Sequence, residues 1–337
     1  MLNNEPFFVS YFDFITTPFF VNDLLTYFYN HFGVDFNKFL LYLLFMNAKV
    51  LITGNLGYIG SVLLNEVKKQ NTDHLCIDKE PQEGPRELCF NLRDAEKTLK
   101  AIKQFKPDVL VHAGSHSVSV YKDNFYDTFL EDFWSLANVL KAIEDLPDCR
   151  LIYFSSSYVY SGLPKEINVT EENALKPLHN FGVAKSFFEQ FILRNHENSA
   201  VFRLSSAFGP GEAKNPNTIL LFIRECLEKN KIEIWGSGIR KLQYVYNKDV
   251  IKYVFEGFNL PPGIYNLGGN EYVSVAEAGQ TIADFFKAKV VFLKDKPEGE
   301  TLPFLENKKL KTVSGKNFFT PFSSALSEYL SAIKNQS

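Results

Sequence analysis

The chain has 337 residues, a net charge of −3 and 45% hydrophobic residues, enough for one large or two modest globular domains. The acidic balance and the lack of a basic stripe argue against a nucleic-acid partner. Four scattered cysteines, Cys76, Cys89, Cys149 and Cys226, form no CxxC pair, which argues against a zinc site or a disulfide framework and fits a reducing, cytoplasmic compartment. No metal is expected.

Fifteen of the first 45 residues are Phe or Tyr. The segment lacks the basic start and small-residue cleavage site of a signal peptide. Its longest apolar run, Phe39 to Phe45, is far too short to span a membrane, so no membrane partner is expected. Met46 stands directly before the first strand signal. The expectation is that residues 1–45 are an extension outside the fold and that the functional chain begins at Met46. The rival reading is a short aromatic helical arm over Val21–Phe32.

From residue 46 onward, short apolar runs alternate with amphipathic stretches. Strands are predicted at Lys49–Thr53, Leu75–Asp78, Val109–Ala113, Arg150–Ser155 and Ala200–Leu204, and helices near Gly57–Lys69, Asp94–Gln104, Phe125–Ile143 and Lys185–Asn195. This alternation predicts an α/β fold, a doubly wound parallel sheet of the Rossmann type, covered by helices on both faces. Past Ser205 the pattern loosens into a helix near Thr218–Lys229, a strand at Lys231–Trp235, the loop GSGIRK and a strand at Leu242–Tyr246. The expected organisation is a cofactor-binding domain over 46–205 and a smaller α/β substrate lobe over 206–337, with some chain returning to the first sheet.

The run KVLITGNLGYIG, Lys49 to Gly60, is a strand, a glycine turn and a helix start. Gly54 permits the tight turn, Gly57 lets backbone approach a diphosphate, and Gly60 lets the helix pack close to its strand. The helix N-terminus offers unpaired N–H groups to an anion. About twenty residues on, HLCIDKE ends a second strand at Asp78. A carboxylate there accepts hydrogen bonds from a ribose and repels a 2′-phosphate, so NAD is the expected cofactor over NADP. Lys79 pulls the other way, because a cation beside the ribose tolerates the extra phosphate.

Three later segments, YFSSSYVYSG (Tyr153 to Gly162), NFGVAK (Asn180 to Lys185) and FRLSSAFGPGE (Phe202 to Glu212), follow in order. Together with TGNLGYIG they resemble the extended short-chain dehydrogenases of the NAD-dependent epimerase/dehydratase group acting on nucleotide sugars, over roughly residues 47 to 330. The resemblance implies hydride transfer at a sugar carbon while a phenol, a lysine and a strand-end serine move a proton. Aligned on Val159-Tyr160, Ser156 takes the serine position and Lys185 the lysine position, whereas the tyrosine position holds Phe181. A phenyl ring carries no exchangeable proton. Tyr158, at a position that faces substrate in related enzymes, is the expected replacement; His179 and His116 are other candidates. The expected cofactor contacts are Gly54, Asn55, Gly57, Tyr58, Ile59, Gly60, Asp78, Leu92, Ala113 and Lys185. Ser157, His179, Ser206 and Arg240 are expected on the substrate, Arg240 standing in for a family arginine whose position holds Leu242. Two readings stay open: an epimerase, dehydratase or reductase with an altered proton relay, or a catalytically inactive NAD-binding sensor or scaffold. The resemblance also implies a homodimer paired through the helices Phe125–Ile143 and Phe181–Asn195, which carry Phe129, Phe133, Trp134, Leu136 and Leu140, and Phe187, Phe188, Phe191 and Ile192.

Overall fold

The computed structural model describes residues 48–211 and 217–335. The 1–45 segment, with its proposed helical arm, lies outside the described residues, as does Glu212.

Strand β1 (Val50–Thr53) is buried along its whole length. Val50 and Ile52 face one hydrophobic cluster and Leu51 faces another. A strand hydrophobic on both faces needs cover on both. The sheet supplies it by crossing over after each strand: α1 (Tyr58–Lys69), β2 (His74–Asp78), β3 (Glu87–Cys89), α2 (Ala95–Phe105), β4 (Val109–His112), α3 (Val118–Asp123), α4 (Phe125–Ile143) and β5 (Arg150–Ser156). Then come a 3-10 turn over Ser157–Tyr160, β6 (Asn168–Val169), α5 (Asn180–Asn195) and β7 (Ser199–Leu204). Leu63 and Val67 of α1 close one face, while Ile102 of α2, Leu136 and Val139 of α4 and Phe188 of α5 close the other.

The second part of the chain supplies β8 (Ser206–Phe208), α6 (Thr218–Lys229), β9 (Lys231–Trp235), β10 (Lys241–Tyr246), α7 (Asn247–Glu256), β11 (Gly263–Leu267), β12 (Tyr272–Ser274), α8 (Val275–Phe286), β13 (Lys289–Leu293), β14 (Phe304–Leu305), α9 (Lys308–Ser314) and α10 (Phe322–Lys334). Its own core joins α6, α8 and α10 to β9 and β10.

The large sheet runs β11-β7-β5-β4-β1-β2-β3, with every pairing parallel. This is the doubly wound Rossmann arrangement expected from the alternation. Its order reverses between β1 and β4, which opens a crevice at their carboxyl ends. Strand β11 comes from the later part of the chain and pairs with β7 from Gly263↔Ala200 to Leu267↔Leu204.

Predicted and observed bounds agree within a residue for β1, β2, α1, α4, α6, β9 and β10. Helix α5 begins at Asn180, earlier than the Lys185 start read from the alternation and one residue before the Phe181 start implied by the resemblance, so Phe181 and Lys185 share one continuous helix. A buried ion pair pins it to the sheet. Arg203 of β7 donates from Nη2 and Nε to Glu189 of α5 at 2.7 and 2.9 Å, and Ser155 Oγ donates to the same carboxylate.

At the crevice, three stretches of backbone touch. Gly54 has φ +73°, and a Cβ on it would lie 2.4 Å from Gly114 Cα. A Cβ on Gly60 would lie 2.1 Å from the Gly54 carbonyl oxygen. The third glycine therefore abuts the first turn. A Gly60→Ala substitution must push α1 away from that turn. It should destabilise the fold by roughly 1–3 kcal/mol, the usual cost of forced overpacking, read as a lower urea midpoint at unchanged slope. An unchanged midpoint would show that α1 is not seated as described.

Candidate cofactor and substrate site

A cavity of about 420 Å³ opens at the β1/β4 crevice. The glycine turn forms its floor and Gly57 begins α1 without a side-chain cap, leaving first-turn N–H groups free for an anion. Gly54, Gly57, Tyr58, Asp78, Leu92 and Ala113 all line it. Asp78 is held from both sides: its Oδ2 accepts from Leu56 N and its Oδ1 from Glu80 N, each at 3.0 Å. A carboxylate has room for further donors, so a ribose can still bind it. Ile59 packs instead against the core. Asn55 is buried beneath the loop, its Nδ2 donating to Gln82 at 2.7 Å, while its Oδ1 has no hydrogen-bond partner. Tyr58 reaches from the loop to the second lobe, donating to the Gly209 carbonyl at 2.9 Å.

Beside the cavity lies a polar network centred on Lys185. Its Nζ donates to Ser115 Oγ at 2.8 Å, to the Phe154 carbonyl at 2.9 Å and to Tyr153 Oη at 3.0 Å. Burial pushes the ammonium down to about 8, with the Asp132 and Glu189 carboxylates opposing the fall. Ser115 Oγ donates onward to Asp132 Oδ2 at 3.0 Å. Asp132 also accepts from His116 N and from Tyr121 Oη, and its Oδ1 lies 2.7 Å from His116 Nδ1. Burial alone would raise the Asp132 pKa, but these donors and Lys185 bring it below the usual carboxylate range. On the far side His112 is buried, with Nδ1 2.7 Å from Thr53 Oγ1. Burial lowers its pKa to about 4, and Lys185 adds to that fall while Asp132 resists it.

Ser156 ends β5 in a buried position, and its Oγ accepts from Tyr158 N at 3.3 Å. Ser157 is buried in the turn that follows. Phe181, on the first turn of α5, packs edge-on against Tyr121 and Tyr158 with centroids 5.5 and 5.8 Å apart. Lys185 Nζ lies 5.6 Å from its ring centre. Tyr158 packs on its other side against His179, at 5.3 Å. Ser156, Tyr158, Phe181 and Lys185 thus form one group, with His179 at its edge.

The remaining substrate-side residues sit on the second lobe. Ser206 opens β8, in register with Tyr244. Arg240 lies in the loop before β10, and its Nε donates to the Glu300 carbonyl at 2.8 Å. The Glu300 carboxylate is 3.6 Å from His179 Nε2. Glu298 accepts from Ser237 Oγ at 2.6 Å and from the backbone N–H groups of Gly238 and Arg240 at 2.7 and 3.1 Å. Leu242 is buried in the lobe core.

Sequence reasoning missed Asp132, Ser115 and Tyr153. Asp132 left a signal: with Thr128, Leu136 and Val139 it lies on the buried stripe of α4, and an acid in an apolar stripe needs a partner. Among the described residues, no group of three or more His, Cys, Asp or Glu side chains is placed to hold a metal ion, and no helix is long and apolar enough to cross a membrane.

A glycine-turned crevice in a parallel sheet, flanked by a strand-end serine and a helical lysine, defines a dinucleotide-binding class of protein. Residues 50–268 match the NAD dependent epimerase/dehydratase family, and the chain belongs to it. Among relatives, methionine adenosyltransferase 2 subunit beta of Xenopus tropicalis is 28% identical over 301 residues, covering 84% of this chain and 87% of that protein. UDP-glucose 4-epimerase of Lactobacillus helveticus is 31% identical over 156 residues, 43% of this chain and 46% of that one. Among solved structures, the UDP-glucose 4-epimerase of Thermus thermophilus in complex with NAD superposes with a TM-score of 0.76 at 18% identity, covering 86% of this chain and all of that one.

His112 makes the fold sensitive to acid. The folded state keeps the imidazole neutral down to about pH 4, whereas the unfolded chain takes up a proton near its ordinary value of about 6.5. Stability therefore rises with pH across that window and is lost as pH falls through it, by up to about 3 kcal/mol from this group. In urea titrations at pH 6.5 and 4, the parent should lose more stability than a His112→Asn variant. Equal losses would clear His112 of the effect.

Proposed function

We propose that this protein binds NAD in the cavity beside Gly54, Gly57 and Asp78 and acts on a nucleotide sugar, with a proton relay through Tyr158 in place of the hydroxyl missing at Phe181. The observation that carries the reading is the placement of Tyr158: its ring rests on Phe181 at 5.8 Å, and its backbone is tied to Ser156 Oγ. The residues present suit the dinucleotide. The uncapped start of α1 faces the cavity, and Asp78 is fixed at the end of β2.

The nicotinamide supplies hydride acceptance and return when bound. The chain's own part is proton handling and orientation. Asp78 receives ribose hydroxyls. Lys185 sets a positive charge beside the reacting groups, stabilising a phenolate. Ser156 offers a hydroxyl at the strand end, and Tyr158 Oη takes or returns the proton of the sugar hydroxyl. Arg240 and His179 border the sugar-nucleotide side. The free cysteines suit the cytoplasm.

A second reading rests on a different observation. Lys185 donates to three protein acceptors, and Phe181 offers no hydroxyl. A chain that binds NAD as a subunit or sensor without turning over substrate needs no more than this. The relative named as a subunit of methionine adenosyltransferase supports that reading.

We also infer a homodimer. Tyr126, Leu130 and Trp134 of α4 are 79%, 48% and 48% exposed, and Val183 and Phe187 of the neighbouring α5 are 43% exposed each. Exposed apolar side chains on two adjacent helices support this reading.

Two measurements test these readings. With NAD and a panel of nucleotide sugars, Tyr158→Phe should cut product formation by about 10²–10⁴-fold, and Phe181→Tyr should change it little. A large gain from Phe181→Tyr would show that the relay was simply lost. Binding of NAD with no product in parent or variants would favour the non-catalytic reading. Light scattering should give twice the chain mass for the parent and the single mass for a Trp134→Glu/Phe187→Glu variant; a monomeric parent would end the dimer proposal.

A further inference from the structure

The cavity carries a charge pattern that the glycine motif does not announce. Among the described residues, Lys79 is the only lysine or arginine on its lining, against four carboxylates, Asp78, Glu80, Glu131 and Asp132. Lys79 directly follows Asp78, the carboxylate at the ribose end of the cavity. Left free, its ammonium would be the natural partner for a phosphate on that ribose, because a flexible lysine is a good point-charge receiver of phosphate.

Lys79 is not free. Its Nζ donates to Glu131 Oε1 of α4 at 2.9 Å and lies 3.4 Å from His116 Nε2. Glu131 is itself held in place: its Oε1 accepts from Asn91 Nδ2 at 3.4 Å, and its Oε2 lies 3.7 Å from His116 Nε2. The carboxylate is only 25% exposed and the lysine 46%, so solvent screens the pair in part. Burial works against the Glu131 charge, but Lys79 and His116 outweigh it and keep its pKa below the usual range.

Resting on the NAD-binding reading above, we propose that Glu131 is a cofactor-specificity residue. It claims the single lysine on the cavity wall, so that the cavity takes the cofactor with a free 2′-hydroxyl and offers no cation to the one with a 2′-phosphate. Asp78 reads the ribose directly. Glu131 acts through Lys79, from a helix more than fifty residues further along the chain.

The test is calorimetric binding of NAD and of NADP to the parent, Glu131→Gln, Lys79→Met and the double variant. Each preparation is titrated with both nucleotides, so the ratio of dissociation constants is independent of any loss of folded protein. The parent should prefer NAD. Glu131→Gln should narrow that preference by roughly two- to fivefold, the range of a partly exposed ion pair. The same change made in the Lys79→Met background should leave the ratio nearly unmoved. If the parent binds NAD and Glu131→Gln leaves the ratio unchanged, this proposal fails while NAD binding stands. If the ratio narrows equally without Lys79, Glu131 does not act through the lysine and the proposal is overturned. A parent that binds neither nucleotide, or prefers NADP, overturns both the proposal and the reading beneath it.

Discussion

The site depends on keeping one ammonium group away from water. Moving a lysine charge into a protein interior costs several kcal/mol unless the surroundings replace its hydration. Lys185 finds that replacement in pieces: hydrogen bonds to the Phe154 carbonyl and the Tyr153 hydroxyl of β5 and to Ser115 in the loop after β4, and the charges of the Asp132 and Glu189 carboxylates. None of these elements satisfies it alone. The lysine therefore fixes α5 against β5, and α5 in turn fixes Phe181 one turn earlier, facing Tyr158. The compensation is incomplete, as the lowered pKa of about 8 records.

Much of the fold was legible because its signals are local. The strand–turn–helix at Lys49–Gly60 announces itself through glycine spacing, and α4 and α6 through their apolar periodicity. The start of α5 was not legible from pattern alone, which set it near Lys185: it carries glycine at position 182, and its N-cap His179 makes no side-chain capping bond. The resemblance set it at Phe181, one residue from the observed Asn180. Strand β3 has only three residues, all at least partly exposed, too few to show a period.

The site was legible where residue types are diagnostic and illegible where meaning comes from contact. Gly54, Asp78, Ser156 and Lys185 could be placed by motif. Asp132 reaches Lys185 through Ser115 across a sequence gap that no spacing rule bridges. Arg240 could be singled out by its nearness to Leu242, but the bond from its Nε to the Glu300 backbone could not be read from spacing. Glu298 and Glu300 lie in a stretch whose composition says only that it is solvated. Their bonds to the Gly236–Arg240 loop, and the nearness of Glu300 to His179, tie the second lobe to the first turn of α5.

Strand β11 has a consequence for how the molecule can be divided. It is made late in the chain, yet it completes the large sheet by lying along β7. A cut near residue 205 would separate the two halves by sequence but not by stability. The earlier piece would keep β7 with a bare row of backbone donors and acceptors, the kind of edge that recruits other chains. The later piece would carry a lone strand, Gly263–Leu267, with no sheet to join. The large sheet is thus assembled in an order its gene does not follow. The last strand of its nucleotide-binding half is delivered only after nearly half of the other lobe has been made.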